Sequence, residues 1–319
     1  MIYNLMSESG SLLALIGVLF AFGGTWLATA KLNPYLPKDG GRDFAHDGKL
    51  SAGKPRGAGI IFVLVFVVAV LLFVPINPEM VIYMILITIC MMTGFLDDAS
   101  KTPWGEYKKG FLDLCVAAMV AMTFLKYNSA VVELAFFDVK FVFHPVVFAL
   151  LTIVLVWASV NVTNCADGVD GLSGTLTIVT LGTIYMINQI KDKPDFSYAI
   201  VLFIMCLLGY LWFNATPSKL MMGDAGSRAM GLIISIAILK TGCPVLYIPV
   251  ALVLILDGGL GLLKVALIRF LKIYILKNTR TPLHDHVRKV WDWSNTQTVY
   301  RFAIIQVIVS AVTIYLIQL

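Results

Sequence analysis

The sequence predicts an all-α integral membrane protein, built as a single multi-pass domain over residues 1–319, and three observations carry that prediction. Hydrophobic residues make up 59% of the chain and charged residues only 13%, against about 25% charged in an ordinary soluble domain. The mean hydropathy is +0.87. The apolar residues also fall into evenly spread runs of membrane-spanning length, about 20 residues at ~1.5 Å rise each. A surface so poor in charge must face lipid over most of its area.

About ten runs meet that length criterion: 11–30, 57–76, 79–96, 111–126, 145–161, 172–190, 197–214, 226–241, 245–268 and 301–318. No basic stretch precedes the first, Leu12–Ala30, so a cleavable signal peptide is not expected. Between the fourth and fifth runs, Val131–Phe143 mixes β-branched and aromatic residues around Phe137-Asp138. That pattern predicts a small β-hairpin on the outer surface. No internal repeat or low-complexity linker interrupts the series.

Lys and Arg orient the runs. With the N-terminus outside, the loops 31–56, 97–110, 161–171, 215–228 and 264–301 hold 19 of the 24 basic residues. The opposite loops hold Lys126, Lys140, Lys191, Lys193 and Lys240. The positive-inside rule makes the first set cytoplasmic and leaves both termini outside. The net charge of +5 is therefore topological information, and no nucleic-acid partner is expected. Cys90, Cys115, Cys165, Cys206 and Cys243 show no metal-binding spacing and read as small buried hydrophobes.

Four polar groups sit on the basic side. The first ends the third run with the adjacent carboxylates Asp97 and Asp98. Such a pair at a membrane boundary is costly unless it shares a cation, a proton or a basic partner. Lys101, three residues on, is placed to hold a phosphate or one of those carboxylates. The second group, 161–171, packs Asn161, Asn164, Asp167 and Asp170 between turn-forming glycines with no basic residue. It suits a cation or a hydroxyl-rich ligand. The third, Met221-Met222-Gly223-Asp224, opens a helix, where Asp224 is either a cap or a ligand for a hard cation. Asn214, ten residues earlier, ends the preceding run and is expected to face the same cavity. The fourth places His284, Asp285 and His286 before Arg288 and Lys289. Histidines two apart on a helix cannot share a face, so anionic oxygens are the expected ligand rather than zinc. Together these residues suit Mg²⁺-assisted phosphoryl transfer.

In this order the four motifs resemble the polyprenyl-phosphate N-acetylhexosamine-1-phosphate transferases over nearly the whole chain. The stretch 282–301 is most similar to the bacterial branch that uses UDP-N-acetylmuramoyl-pentapeptide. The resemblance implies transfer of a sugar-1-phosphate to undecaprenyl phosphate, with release of UMP, in peptidoglycan synthesis. It also implies an enzyme of the bacterial cytoplasmic (inner) membrane, a Mg²⁺ cofactor, an active site on the cytoplasmic face and a homodimer. Carried over residue by residue, Asp224 is the direct Mg²⁺ ligand. Asp97 deprotonates or positions the lipid phosphate, with Asp98 beside it. Asn161, Asn164, Asp167 and Asp170 line the nucleotide and metal region, while His284 and His286 engage the diphosphate or sugar.

The chain departs from the family pattern in four places, one of them a short loop after Asp98. Asp285 stands for the middle of three histidines. Met221 stands where members place an aromatic that stacks on uracil. Ser51 falls on the family lysine, with Lys49 and Lys54 as candidate replacements. Direct in-line attack by the lipid phosphate is the preferred route, and a covalent aspartyl-phosphate is the alternative. A sibling that uses UDP-N-acetylglucosamine is the nearest rival reading. A cation-coupled transporter is the distant one, but it would place its carboxylates near the bilayer midplane. Asp257 lies well inside the ninth apolar run. It could support the nucleotide site if the ninth run breaks at Gly258-Gly259.

Overall fold

A computed structural model describes residues 10–41, 51–100, 102, 104–137 and 139–319. Each of the ten apolar runs folds as helix. The helices are α1 Gly10–Leu32, α2 Gly59–Phe73, α3 Pro78–Asp98, α4 Glu106–Tyr127, α5 Pro145–Cys165, α6 Leu172–Ile190, α7 Ser197–Asn214 and α8 Gly223–Lys240. There follow a short α9 Tyr247–Val250, a longer α10 Leu252–Leu271, then α11 Leu283–Val290 and α12 Asn295–Gln318. Local sequence fixes several starts. Asn77 accepts a hydrogen bond from the Met80 amide (2.7 Å) ahead of Pro78, and His144 caps α5 ahead of Pro145. Ser294 and Gln297 form a reciprocal capping box at α12.

By length and apolar composition alone, fewer than ten of these runs qualify as membrane spans. Six helices among the described residues are long and apolar enough to cross a membrane, and seven if the pair Pro244–Val250 and Leu252–Leu271, bent by 72°, counts as one. The reason is clearest at α8. Every residue from Gly223 to Leu239 is buried, so this helix is wrapped by its neighbours and can carry Asp224, Arg228 and Lys240. Small residues bring those neighbours close. A side chain at Gly59 would strike the backbone of Gly226, one at Gly94 the backbone of Asp224 and Ala225, and one at Gly231 the backbone of Ser159.

The expected hairpin is present. Val131–Leu134 (β1) pairs antiparallel with Val139–Val142 (β2), with Val131 opposite Val142 and Leu134 opposite Val139. It is tied down by the Glu133 amide donating to the Gly242 carbonyl (2.9 Å) and by a Glu133–Lys191 ion pair. Asp138, at its tip, lies outside the described residues. In α10 a π-helical turn at Ile255–Gly259 breaks the regular ladder where Gly258 presses on the Val162 carbonyl.

Candidate active site

The end of α3 meets the start of α8. Asp98 accepts a hydrogen bond from the Ala225 amide (3.2 Å), so this carboxylate satisfies a donor at the α8 N-terminus. Gly223 is required there: its φ is +67°, and a side chain would collide with Asp98. Asp97 accepts from the Trp104 amide (2.7 Å) and forms an ion pair with Lys109 of α4. The same Lys109 ammonium lies 3.3 Å from Asp224 Oδ2.

Arg56 closes the cluster. Its Nη2 is 2.8 Å from Asp98 Oδ1 and 3.7 Å from Asp224 Oδ1, and its Nη1 is 3.4 Å from Asp39. Burial works against the guanidinium charge, but Asp98, Asp224 and Asp39 outweigh it and raise the Arg56 pKa. Four carboxylates thus face two cations, an excess of two negative charges.

Among the described residues, no three His, Cys, Asp or Glu side chains converge tightly enough to enclose a metal alone. Asp97 and Asp224 nevertheless meet at one ammonium. Hard oxygen donors converging on one point, within a surplus of two negative charges, fit Mg²⁺. That ion takes one or two carboxylates and completes its shell with water and substrate phosphate.

The segment expected as a loop over 161–171 begins as the last turn of α5, which carries Asn161 and Asn164, and with the loop after it packs against this cluster. Asn164 Oδ1 accepts from Ser227 Oγ on α8 (2.8 Å). Asn161 Nδ2 lies 3.4 Å from Asp113 Oδ2 on α4. Asp113 in turn pairs with Arg228, and both side chains are almost completely buried. Asp167 accepts from Ser173 Oγ (2.6 Å), and Asp170 accepts from the Ser218 amide (3.3 Å) with Lys54 Nζ 3.9 Å away. Asn214 has both ends of its amide committed to backbone: Oδ1 accepts from Gly171 N and Nδ2 donates to Leu220 O, each at 2.9 Å. It clamps the loop in place. The backbone of Met221 is stitched to the 55–58 segment by bonds to Pro55 O (2.8 Å) and Ala58 N (3.0 Å). That stitching brings Arg56 to the carboxylates.

The histidine motif divides between two environments. His284 is buried, 3% exposed. Its Nδ1 lies 2.8 Å from Asp257 Oδ2, and its amide donates to Asp257 Oδ1 at 2.7 Å. Burial disfavours the imidazolium, but Asp257 more than compensates and the His284 pKa is raised. The Nε2 edge of the ring abuts Gly168, where a side chain would displace it. His286 points elsewhere: its Nδ1 accepts from the Arg280 amide (3.2 Å) and its ring stands edge-on to Trp291. Asp285 turns toward Arg288, 3.7 Å away.

Lys101 and Lys49 lie outside the described residues. Ser51, at the position of the family lysine, donates to Asp39 (2.6 Å), while Lys54 reaches Asp170 and donates to Ser218 Oγ (3.0 Å). The sequence reading missed Arg56, Lys109, Asp39 and the Asp113–Arg228 pair. One signal was available: Lys109 and Asp113, like Asp224 and Arg228, are four residues apart and share a helical face.

Comparison with known proteins agrees with this geometry. Residues 80–242 match the family described as Glycosyl transferase family 4. The chain is 40% identical over 296 residues to the phospho-N-acetylmuramoyl-pentapeptide-transferase of Treponema pallidum (strain Nichols), covering 85% of this chain and 80% of that protein. It is 28% identical over 315 residues to the protein of that name from Borrelia hermsii, covering 90% and 88% respectively. Against that from Wolbachia sp. subsp. Drosophila simulans it is 27% identical over 277 residues, covering 82% and 83%. The motif order, the carboxylate cluster they build and a match this long and this close have one reading: the chain belongs to Glycosyl transferase family 4, among the phospho-N-acetylmuramoyl-pentapeptide-transferases.

Proposed function

We propose that this chain transfers phospho-N-acetylmuramoyl-pentapeptide from its UDP-linked donor to undecaprenyl phosphate, releasing UMP and forming the first lipid-linked intermediate of peptidoglycan. The observation that carries the reading is the convergence of Asp97, Asp98 and Asp224 with Arg56 and Lys109 at one end of the helix bundle. That arrangement suits two phosphorylated substrates meeting head to head. An oxygen of the lipid phosphate attacks the β-phosphorus in line, and the bond to the UMP oxygen breaks. Lys109 and Arg56 are placed to neutralise phosphate oxygens, and Asp97 to take up or hold off a proton at the attacking phosphate. Asp224 is the residue to hold Mg²⁺, which when bound supplies charge neutralisation to the diphosphate. The 161–171 segment, the last turn of α5 and the loop braced by Asn214 and His284, is the nucleotide-facing wall.

In this reading the active end faces the cytoplasm, as the distribution of Lys and Arg supports. The short α2, together with α6 and the buried α8, completes about ten crossings with both termini outside, and the enzyme works as a homodimer in the inner membrane. The test is incubation of the purified protein with radiolabelled UDP-N-acetylmuramoyl-pentapeptide and undecaprenyl phosphate, with and without Mg²⁺. Labelled lipid and UMP are expected in equal amounts, only with Mg²⁺. Product from UDP-N-acetylglucosamine alone would transfer the chain to the sibling specificity.

A further inference from the structure

Polar side chains of α4 and α8, two helices that each pack on α3 and α5, reach one another as a ladder. Lys109 and Asp113 stand one turn apart on α4, and Asp224 and Arg228 one turn apart on α8. Lys109 pairs with Asp224, and one turn deeper Asp113 pairs with Arg228. The signs are reversed between the two rungs. Both helices start at the active end and run away from it, so a slip of one turn would set Lys109 against Arg228 or Asp113 against Asp224. The upper rung is at the reaction centre. The lower one is sealed, with side chains 2% and 3% exposed.

We propose that Asp113 and Arg228 are positioning residues for the transfer reaction, setting Asp224, Lys109 and Asn161 in their working geometry. Asp113 is the shared point: Oδ1 takes Arg228 from α8, Oδ2 faces Asn161 Nδ2 of α5 at 3.4 Å, and its own helix carries Lys109. Three elements that each bring a residue to the site are thereby referenced to one carboxylate. The pair is a poor device for stability alone. Arg228 Nε and Nη1 are buried with no acceptor, and a buried ion pair is commonly matched or exceeded by apolar residues of similar volume. What it supplies and a leucine pair would not is a register in which only one alignment avoids like charges.

This inference rests on the proposed transferase activity and is tested with the full chain in detergent. The double variant Asp113→Leu/Arg228→Leu removes the rung without leaving a lone buried charge. Its unfolding midpoint should stay near wild type. Its kcat should fall more than about tenfold, with KM for both substrates within about threefold, because transition-state alignment rather than binding is lost. A kcat within about tenfold of wild type, or a loss that appears in KM, overturns the inference. If the double variant does not fold, Arg228→Lys decides by the same criterion, since it keeps the charge but not the planar fork. A wild-type chain inactive on both sugar nucleotides would instead sink the proposed function.

Discussion

The two ends of the α3–α8 pair use charge in opposite ways. At the end away from the site, Glu79 lies in the first turn of α3 and Lys240 in the last turn of α8. Each stands where the helix dipole favours its sign. Their charges meet at 3.1 Å, and Glu79 also accepts from Tyr83 Oη (2.9 Å) and Asn128 Nδ2 (2.7 Å). Among the described residues, Glu79 and Lys240 are paired one to one inside the protein, with only the exposed Asp195 besides, 3.9 Å from the ammonium. At the active end Asp97 and Asp98 sit at the C-terminus of α3, against its dipole, with Asp224 close by. Carboxylates outnumber cations there. One end is arranged for stability. The other holds unbalanced negative charge that a divalent ion and substrate phosphates can use.

The contrast can be broken from the active end first. Asp224→Asn removes one charge from the cluster while keeping its shape. Turnover should drop by at least about a thousandfold, with the unfolding midpoint little changed. Turnover within about tenfold of wild type, ~1.4 kcal/mol of barrier, would show that Asp224 is not the essential carboxylate. The histidine motif gives the next effect. His284→Ala leaves Asp257 buried without its imidazole partner and removes the brace behind Gly168. Its initial rate of lipid product, and that of His286→Ala, should fall about a hundredfold or more. Asp285→His restores the triplet of the resembled family, and Asp285 points toward Arg288, so that variant should stay active. An Asp285→His enzyme as inactive as the two alanine variants would give Asp285 a direct role.

At the balanced end the effects should move from rate to stability. Glu79→Gln strands Lys240, whose remaining carboxylate, the exposed Asp195, is 3.9 Å away. The expected loss is about 3 kcal/mol of stability, read as a lower unfolding midpoint, with kcat unchanged. A fall in kcat at constant stability would erase the distinction between the ends. The smallest effect belongs to Lys140→Ala on the hairpin, where the lysine is 63% exposed and 3.7 Å from Glu133. Less than about 0.5 kcal/mol is expected there, measured in the same unfolding assay, because Lys191 already holds Glu133.

The sequence by itself determined the helical runs, the hairpin and the four motifs, because each is encoded within a few neighbouring residues. Apolar length marks a helix that touches lipid, alternation marks a short strand pair, and adjacent carboxylates mark a boundary site. Only the tertiary structure decided which helices are shielded from lipid. Hydropathy measures a segment without its neighbours, so it cannot say that α8 is the buried axis of the bundle. The partners of the motif residues were likewise out of reach. Lys109 and Arg228 lie 115 residues in sequence from Asp224 and Asp113, Asp98 is 127 from Ala225, and Asp257 is 27 from His284. The chemical identity of a side chain is local, but its electrostatic role is set by what packing brings within a few ångströms. Asn214 is the plainest case. It was expected to face the cavity of the third motif, and packing spends both ends of its amide on the backbone of Gly171 and Leu220.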